Sequence, residues 1–160
     1  MFFALYMNLA TDWQYHGLMK NTKGDGTWSA AIYSLADTLE THYKDRPIRL
    51  MDWGFGNPLY LLSAGRLQLH EDSWKFRTTS EPSEKLIRLV SDPINVFIVH
   101  SAPHIIYPTA YAALYRAAWQ AGVSVKTKRP IFDSRGNEMY TIVEFIKHPT
   151  KSGESSNNPN

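Results

Sequence analysis

The chain contains no cysteine, which excludes disulfide frameworks, thiol nucleophiles and cysteine-ligated metals together. It also lacks a decisive charge. Seventeen Lys and Arg against fifteen Asp and Glu leave +2, too weak a field to argue for nucleic acid or an anionic membrane. The apolar stretch Met1 to Ala10 is short: as a helix it spans roughly 15 Å, about half of a hydrocarbon core. It cannot cross a bilayer alone. It is also a poor signal peptide, with no basic residue beside Met1 and the polar, aromatic run Asp12, Trp13, Gln14, Tyr15 where a small-residue cleavage site belongs.

What is present is a globular composition. With 160 residues, 43% hydrophobic and 20% charged, the body of the chain is not intrinsically disordered. One domain of this size buries about 70% of the surface it exposes when unfolded and needs no covalent staples. Three stretches divide the chain. Residues 1–20 read either as a lead-in helix packed on the domain or as the last turns of a membrane helix, with Trp13 and Tyr15 as its interfacial anchor. Residues 21–148 form a single α/β domain. Residues 149–160, rich in Ser, Asn, Pro and Gly without a large apolar side chain, form a disordered tail. No internal repeat interrupts the middle.

Periodicity orders the elements. Asn21 to Gly26 is a polar loop, and Thr27 is placed to cap a helix whose apolar stripe is Trp28, Ile32, Leu35, Ala36, Leu39 and Tyr43. Pro47 stops it. Ile48 to Trp53 is a short strand, Asn57 to Ala64 a short helix with Pro58 in its first turn, and Gly65 its end. Arg66 to His70 alternates as a second strand, and Ser83 to Ser91 is a helix entered through Pro82. Ile94 to Val99 is β-branched and almost continuously apolar, the pattern of a strand covered on both faces. Pro108 opens a helix that Gly122 closes, with Trp119 on or beside its apolar stripe and, like Trp28, expected in the core. Val123 to Phe132 and Met139 to Ile146 flank Asp133-Ser134-Arg135-Gly136-Asn137, a hairpin turn. This alternation predicts a three-layer α/β fold: a mostly parallel sheet, helices on both faces and a C-terminal antiparallel hairpin.

Ligands of open α/β sheets bind outside the carboxyl ends of the strands. Two such ends are polar here, Asp52-Trp53-Gly54-Phe55-Gly56-Asn57 and His100-Ser101-Ala102-Pro103-His104. Were the strands adjacent, Asp52 and His100 would face one crevice as an acid–base pair or metal site. The competing expectation is that Asp52 bonds the next turn and His100 bonds locally. Pro103 forbids the helix that would align His100 and His104 on a metal, and Ser101 lacks the flanking glycines of a nucleophile elbow. Gly54-Phe55-Gly56 has no third glycine and fails as a dinucleotide fingerprint. Arg66, Lys75 and Arg77 near Trp74 and Phe76 are a basic–aromatic mixture able to stack on a sugar or base, or simply a solvated edge with snorkelling stems.

Three motifs then point to a family. Trp28-Ser29-Ala30-Ala31-Ile32-Tyr33-Ser34-Leu35-Ala36-Asp37, Met51-Asp52-Trp53-Gly54 with Leu62-Ser63-Ala64-Gly65-Arg66, and Ile131-Phe132-Asp133-Ser134-Arg135-Gly136 resemble the C-terminal extramembrane domain of polytopic glycosyltransferase-like proteins of the dolichyl-phosphate-mannose-protein mannosyltransferase type. The resemblance covers Trp28 to about Ile146. It implies a small α/β domain, membrane-associated and extracytoplasmic (periplasmic on the inner membrane if bacterial). Its partners would be the membrane part of the same transferase and a polyprenyl-phosphate sugar or glycan acceptor, with no nucleic acid, cofactor or metal. The family's catalytic acid lies in a loop near the start of its membrane region, so no residue here inherits that role. The chain would then be a fragment or shortened product unable to perform transfer alone.

On this expectation Asp52, Trp53, Gly54, Asn57, Arg66, His100 and His104 form a non-catalytic substrate-binding or docking surface. The alternatives are a free-standing hydrolase-like α/β enzyme acting through Asp52 and His100, or a sugar-binding module with its site at the same strand ends.

Overall fold

The computed structural model describes Thr11, Trp13, Gln14, Gly17, Gly24, Asp25 and residues 28–147. The expected helix at Met1 to Ala10, the anchor at Tyr15, the cap at Thr27 and the tail after Pro149 lie outside the described residues. Among those described, no helix is long and apolar enough to cross a membrane.

After the helical residues Thr11, Trp13, Gln14 and Gly17 come two short strands, β1 (Gly24–Asp25) and β2 (Trp28–Ser29), paired antiparallel. This corrects two expectations, a loop through Asp25 and a helix beginning at Trp28. The helix α1 instead runs Ala31–His42, with the Ser29 hydroxyl accepting from the Ala31 N–H at 3.2 Å. Its buried residues, Ala31, Ile32, Leu35, Ala36 and Leu39, repeat at helical spacing. Each fully buried leucine contributes roughly 1.5–3 kcal/mol over an exposed one.

The main sheet has the order β4-β3-β5-β7-β6. Strand β3 (Ile48–Leu50) lies parallel to both β4 (Leu69–Glu71) and β5 (Val96–His100). Strands β6 (Val123–Phe132) and β7 (Glu138–Lys147) form the antiparallel hairpin, and β7 rather than β6 docks antiparallel on β5. The sheet is therefore mixed and open, parallel where the chain enters it and antiparallel at its C-terminal strands. Strand β6 is an edge, and it carries what edges carry: exposed Lys126 and Lys128, and Pro130, which donates nothing to a ladder.

Helix α2 (Gly56–Leu62) joins β3 to β4, α3 (Glu84–Ser91) leads into β5, and α4 (Pro108–Gln120) follows it. A single 3₁₀ turn, Ser73–Phe76, follows β4. Strand β5 shows why the fold has three layers. All five of its residues are buried; Val96 and Ile98 pack with α1 and α2, whereas Phe97 and Val99 pack with α3 and α4. Successive side chains of a strand point to opposite faces, so a continuously apolar run requires cover on both.

Gly65 and Gly122 end their helices at φ +73° and +63°, conformations in which a Cβ is strained. Trp119 corrects another expectation. It is 81% exposed, because the buried stripe of α4 runs through Ala110, Ala113, Leu114, Ala117 and Ala118, and the next residue turns about 100° away from it.

Candidate functional site at the carboxyl ends of the sheet

Strands β3 and β5 are parallel neighbours, so their carboxyl ends emerge side by side. Asp52 leaves one and His100 ends the other. Their side chains meet at 3.0 Å between Oδ2 and Nδ1. Both are buried, at 2% and 1% exposure.

The remaining bonds decide what the pair does. Oδ1 of Asp52 accepts from the N–H groups of Trp53 at 2.8 Å and Tyr107 at 3.0 Å, and Oδ2 accepts from the Ile106 N–H at 3.0 Å besides His100. Four donors fill the four favourable positions of one carboxylate. Three of them are backbone amides; an ionised carboxylate only accepts, which selects the tautomer of His100 that carries its hydrogen on Nδ1. The imidazole is packed between Phe55, with centroids 4.8 Å apart, and Tyr140, at 5.1 Å. Asp52 thus clasps the turn after β3 to the loop that starts α4. An occupied, enclosed carboxylate is a poor general base, because using it breaks bonds that hold the loop.

The clasp leaves an exposed rim. Trp53 is 39% exposed, and Gly54 after it takes φ +102°, which favours glycine alone. Asn57 is exposed in the first turn of α2. Tyr107, held by Asp52, brings its ring to 6.4 Å from that of Trp74, itself 49% exposed. The Arg77 guanidinium lies 5.2 Å from the Trp74 centroid and 5.8 Å from that of Tyr107. Phe76 is not part of this rim: it is 3% exposed and packs in the core under α3 and α4.

His104 stands on the other side of the same loop. Together with Ala102 and Pro103 it faces the β6–β7 turn across a cleft of about 550 Å³, whose far wall includes Arg135, Asn137 and Glu138. Asp133 organises that turn. It accepts from the N–H groups of Arg135 at 2.8 Å and Asn137 at 2.9 Å, and from both side chains. Burial raises its pKa, but these four bonds outweigh burial and hold it at about 2. Glu138 is drawn below the usual range by the Thr141 and Ser101 hydroxyls, at 2.6 and 2.7 Å.

Of the residues expected at one surface, Asp52, Trp53, Gly54, Asn57, His100 and His104 gather at this end. Arg66 does not. It precedes β4 at the amino end of the parallel strands, where it pairs with Glu40 of α1 at 2.6 Å. Its proximity in sequence to Lys75 and Arg77 carried no information about place, since β4 runs between them. Tyr107 and Glu138 escaped notice because nothing local distinguishes them; only the pairing of β5 with β3 and β7 brings them here. Among the described residues no cluster of three or more His, Cys, Asp or Glu side chains is arranged to hold a metal ion.

No protein-family model, curated protein or solved structure matches the chain.

Proposed function

We propose that the chain is a non-catalytic extracytoplasmic accessory domain of a membrane glycosyltransferase that uses a polyprenyl-phosphate sugar donor, and that it helps to position donor or acceptor. The resemblance of its three motifs to such domains motivates this reading. The observation that carries it is the contrast at the sheet's carboxyl ends: the groups able to do proton chemistry, Asp52 and His100, are enclosed and paired, while the groups exposed around them, Trp53, Trp74 and Arg77, are ones that bind. Flat aromatic faces stack on the apolar faces of rings, and a guanidinium reads anions. A free-standing hydrolase acting through Asp52 and His100 would need one of them at the surface, and neither is.

Two experiments test the proposal. The coding sequence preceding Met1 should encode several apolar segments of about 20 residues each; an unrelated gene directly upstream would overturn it. Purified chain incubated with a polyprenyl-phosphate sugar and a glycan acceptor should transfer nothing. Turnover by the chain alone would overturn the non-catalytic assignment.

A further inference from the structure

We infer that Arg77, set against the rings of both Trp74 and Tyr107, is the phosphate-reading element of this face, and that the ligand it reads is a glycosyl phosphate. The inference rests on the accessory-domain reading and names the substrate class of its site.

Arg46, Arg49, Arg66, Arg88, Arg116 and Arg135 each lie within 4.0 Å of a carboxylate. Arg129 meets none and lies over the single ring of Tyr43, at 5.9 Å; among the described residues Arg77 meets none either. Its partners are instead two aromatic rings, at 5.2 and 5.8 Å. Contact with ring faces restrains a guanidinium while leaving N–H groups open to solvent. Such a cation is preorganised for a bidentate anion and has no internal charge to give up first.

The surroundings hold that arrangement in place. The Thr109 hydroxyl donates to the Arg77 carbonyl at 3.2 Å, tying the segment after the 3₁₀ turn to the first turn of α4. Tyr107 is fixed in turn, its N–H held by the buried Asp52 carboxylate. The positive end of the α4 dipole lies beside Tyr107, and Lys75 is exposed on the 3₁₀ turn, so the local field favours an anion. Trp74 supplies the second half of the specificity. Half of its surface is open, and an indole face beside a fixed cation suits a sugar ring carrying a phosphate ester. An isolated phosphate would use the arginine alone, and a neutral sugar the indole alone.

The test follows the Trp74 indole N–H resonance of the full chain, assigned by its loss in Trp74→Phe, during titration with a hexose 1-phosphate, inorganic phosphate, a methyl hexoside and phosphatidylglycerol vesicles. The hexose 1-phosphate should shift that resonance saturably, at a concentration about tenfold or more below either inorganic phosphate or the methyl hexoside, because it alone engages both halves. Arg77→Ala should raise the half-saturation point by about tenfold or more at unchanged thermal midpoint, since the residue is exposed, and Arg77→Lys should recover only part of the loss. Equal binding by wild type and Arg77→Ala would overturn the inference. So would a response to the vesicles with none to the hexose 1-phosphate, which would make the ligand a lipid headgroup. A methyl hexoside response insensitive to Arg77 would remove the phosphate assignment but leave the accessory-domain reading standing. Hexose 1-phosphate binding in a chain with no apolar segments encoded upstream would do the reverse.

Discussion

Asp52 and His100, 48 positions apart, meet at 3.0 Å inside the protein, and the same carboxylate accepts from three backbone amides. The pair is a clasp between two strand ends. Asp52→Ala should therefore destabilise the fold by about 3–5 kcal/mol, since it strands an imidazole and three amides without an acceptor. His100→Asn removes one donor and should cost less, about 1–3 kcal/mol. Urea unfolding of both variants measures this. Unchanged stability in Asp52→Ala would reopen a chemical role for the residue.

The turn Asp133 to Asn137 should unravel in acid. Asp133 has a folded pKa of about 2, below the 3.8 of an unperturbed aspartate. A depressed pKa contributes stability that is fully present above the unfolded value and is lost as pH falls through the folded one. Glu138 is lowered by its two hydroxyl donors; Glu144 is lowered because its contacts with Arg46 outweigh burial, from a common starting value of 4.5. All three push the same way, so the thermal midpoint should fall between about pH 4.5 and pH 2. Asp133→Asn should flatten part of that slope. A midpoint that is level over this range would count against the assigned bonds.

Arg46, half-buried in the loop after α1, has a structural role that its place in a loop does not advertise. It donates to Glu144 of β7 at 2.6 Å and to the carbonyls of Ile94 and Pro93 at 2.9 and 2.8 Å. Glu144 is 6% exposed. Removing the cation takes away the main compensation of a buried charge, leaving Lys126 and the Thr127 hydroxyl, so Arg46→Ala should lose about 3 kcal/mol. Pairing it with Glu144→Gln should restore much of that loss, which chemical denaturation of the two variants will show.

Gly65 is required for its backbone. At φ +73°, with the Tyr60 ring 3.4 Å from where a Cβ would stand, Gly65→Ala should destabilise by about 1–2 kcal/mol. Gly122→Ala has the same φ problem but open space, so it should be the milder of the two in parallel thermal melts.

Much of this architecture is legible locally. The stripe Ile32, Leu35, Ala36, Leu39 marks α1 by period, the continuous run through Val99 marks β5 as doubly covered, and Asp133 to Asn137 announces a turn by its residue types. Local signals mislead where two of them compete. Trp28 continues the helical stripe backwards yet pairs with Asp25 in β2, and Trp119 adjoins the stripe of α4 without belonging to it. The candidate site was legible only as strand ends that would share a crevice if adjacent.

What the residues alone determine is therefore the order of the elements and the number of faces each must bury, because periodicity is a short-range property of the chain. Which strands become neighbours is decided only in the folded sheet, where β7 inserts between β5 and β6. That choice encloses Asp52 with His100, sends Arg66 to the opposite end, and lays Tyr107 beside Trp74 and Arg77. Contacts across 30 to 55 positions depend on packing the whole core at once, and no window of sequence carries that information.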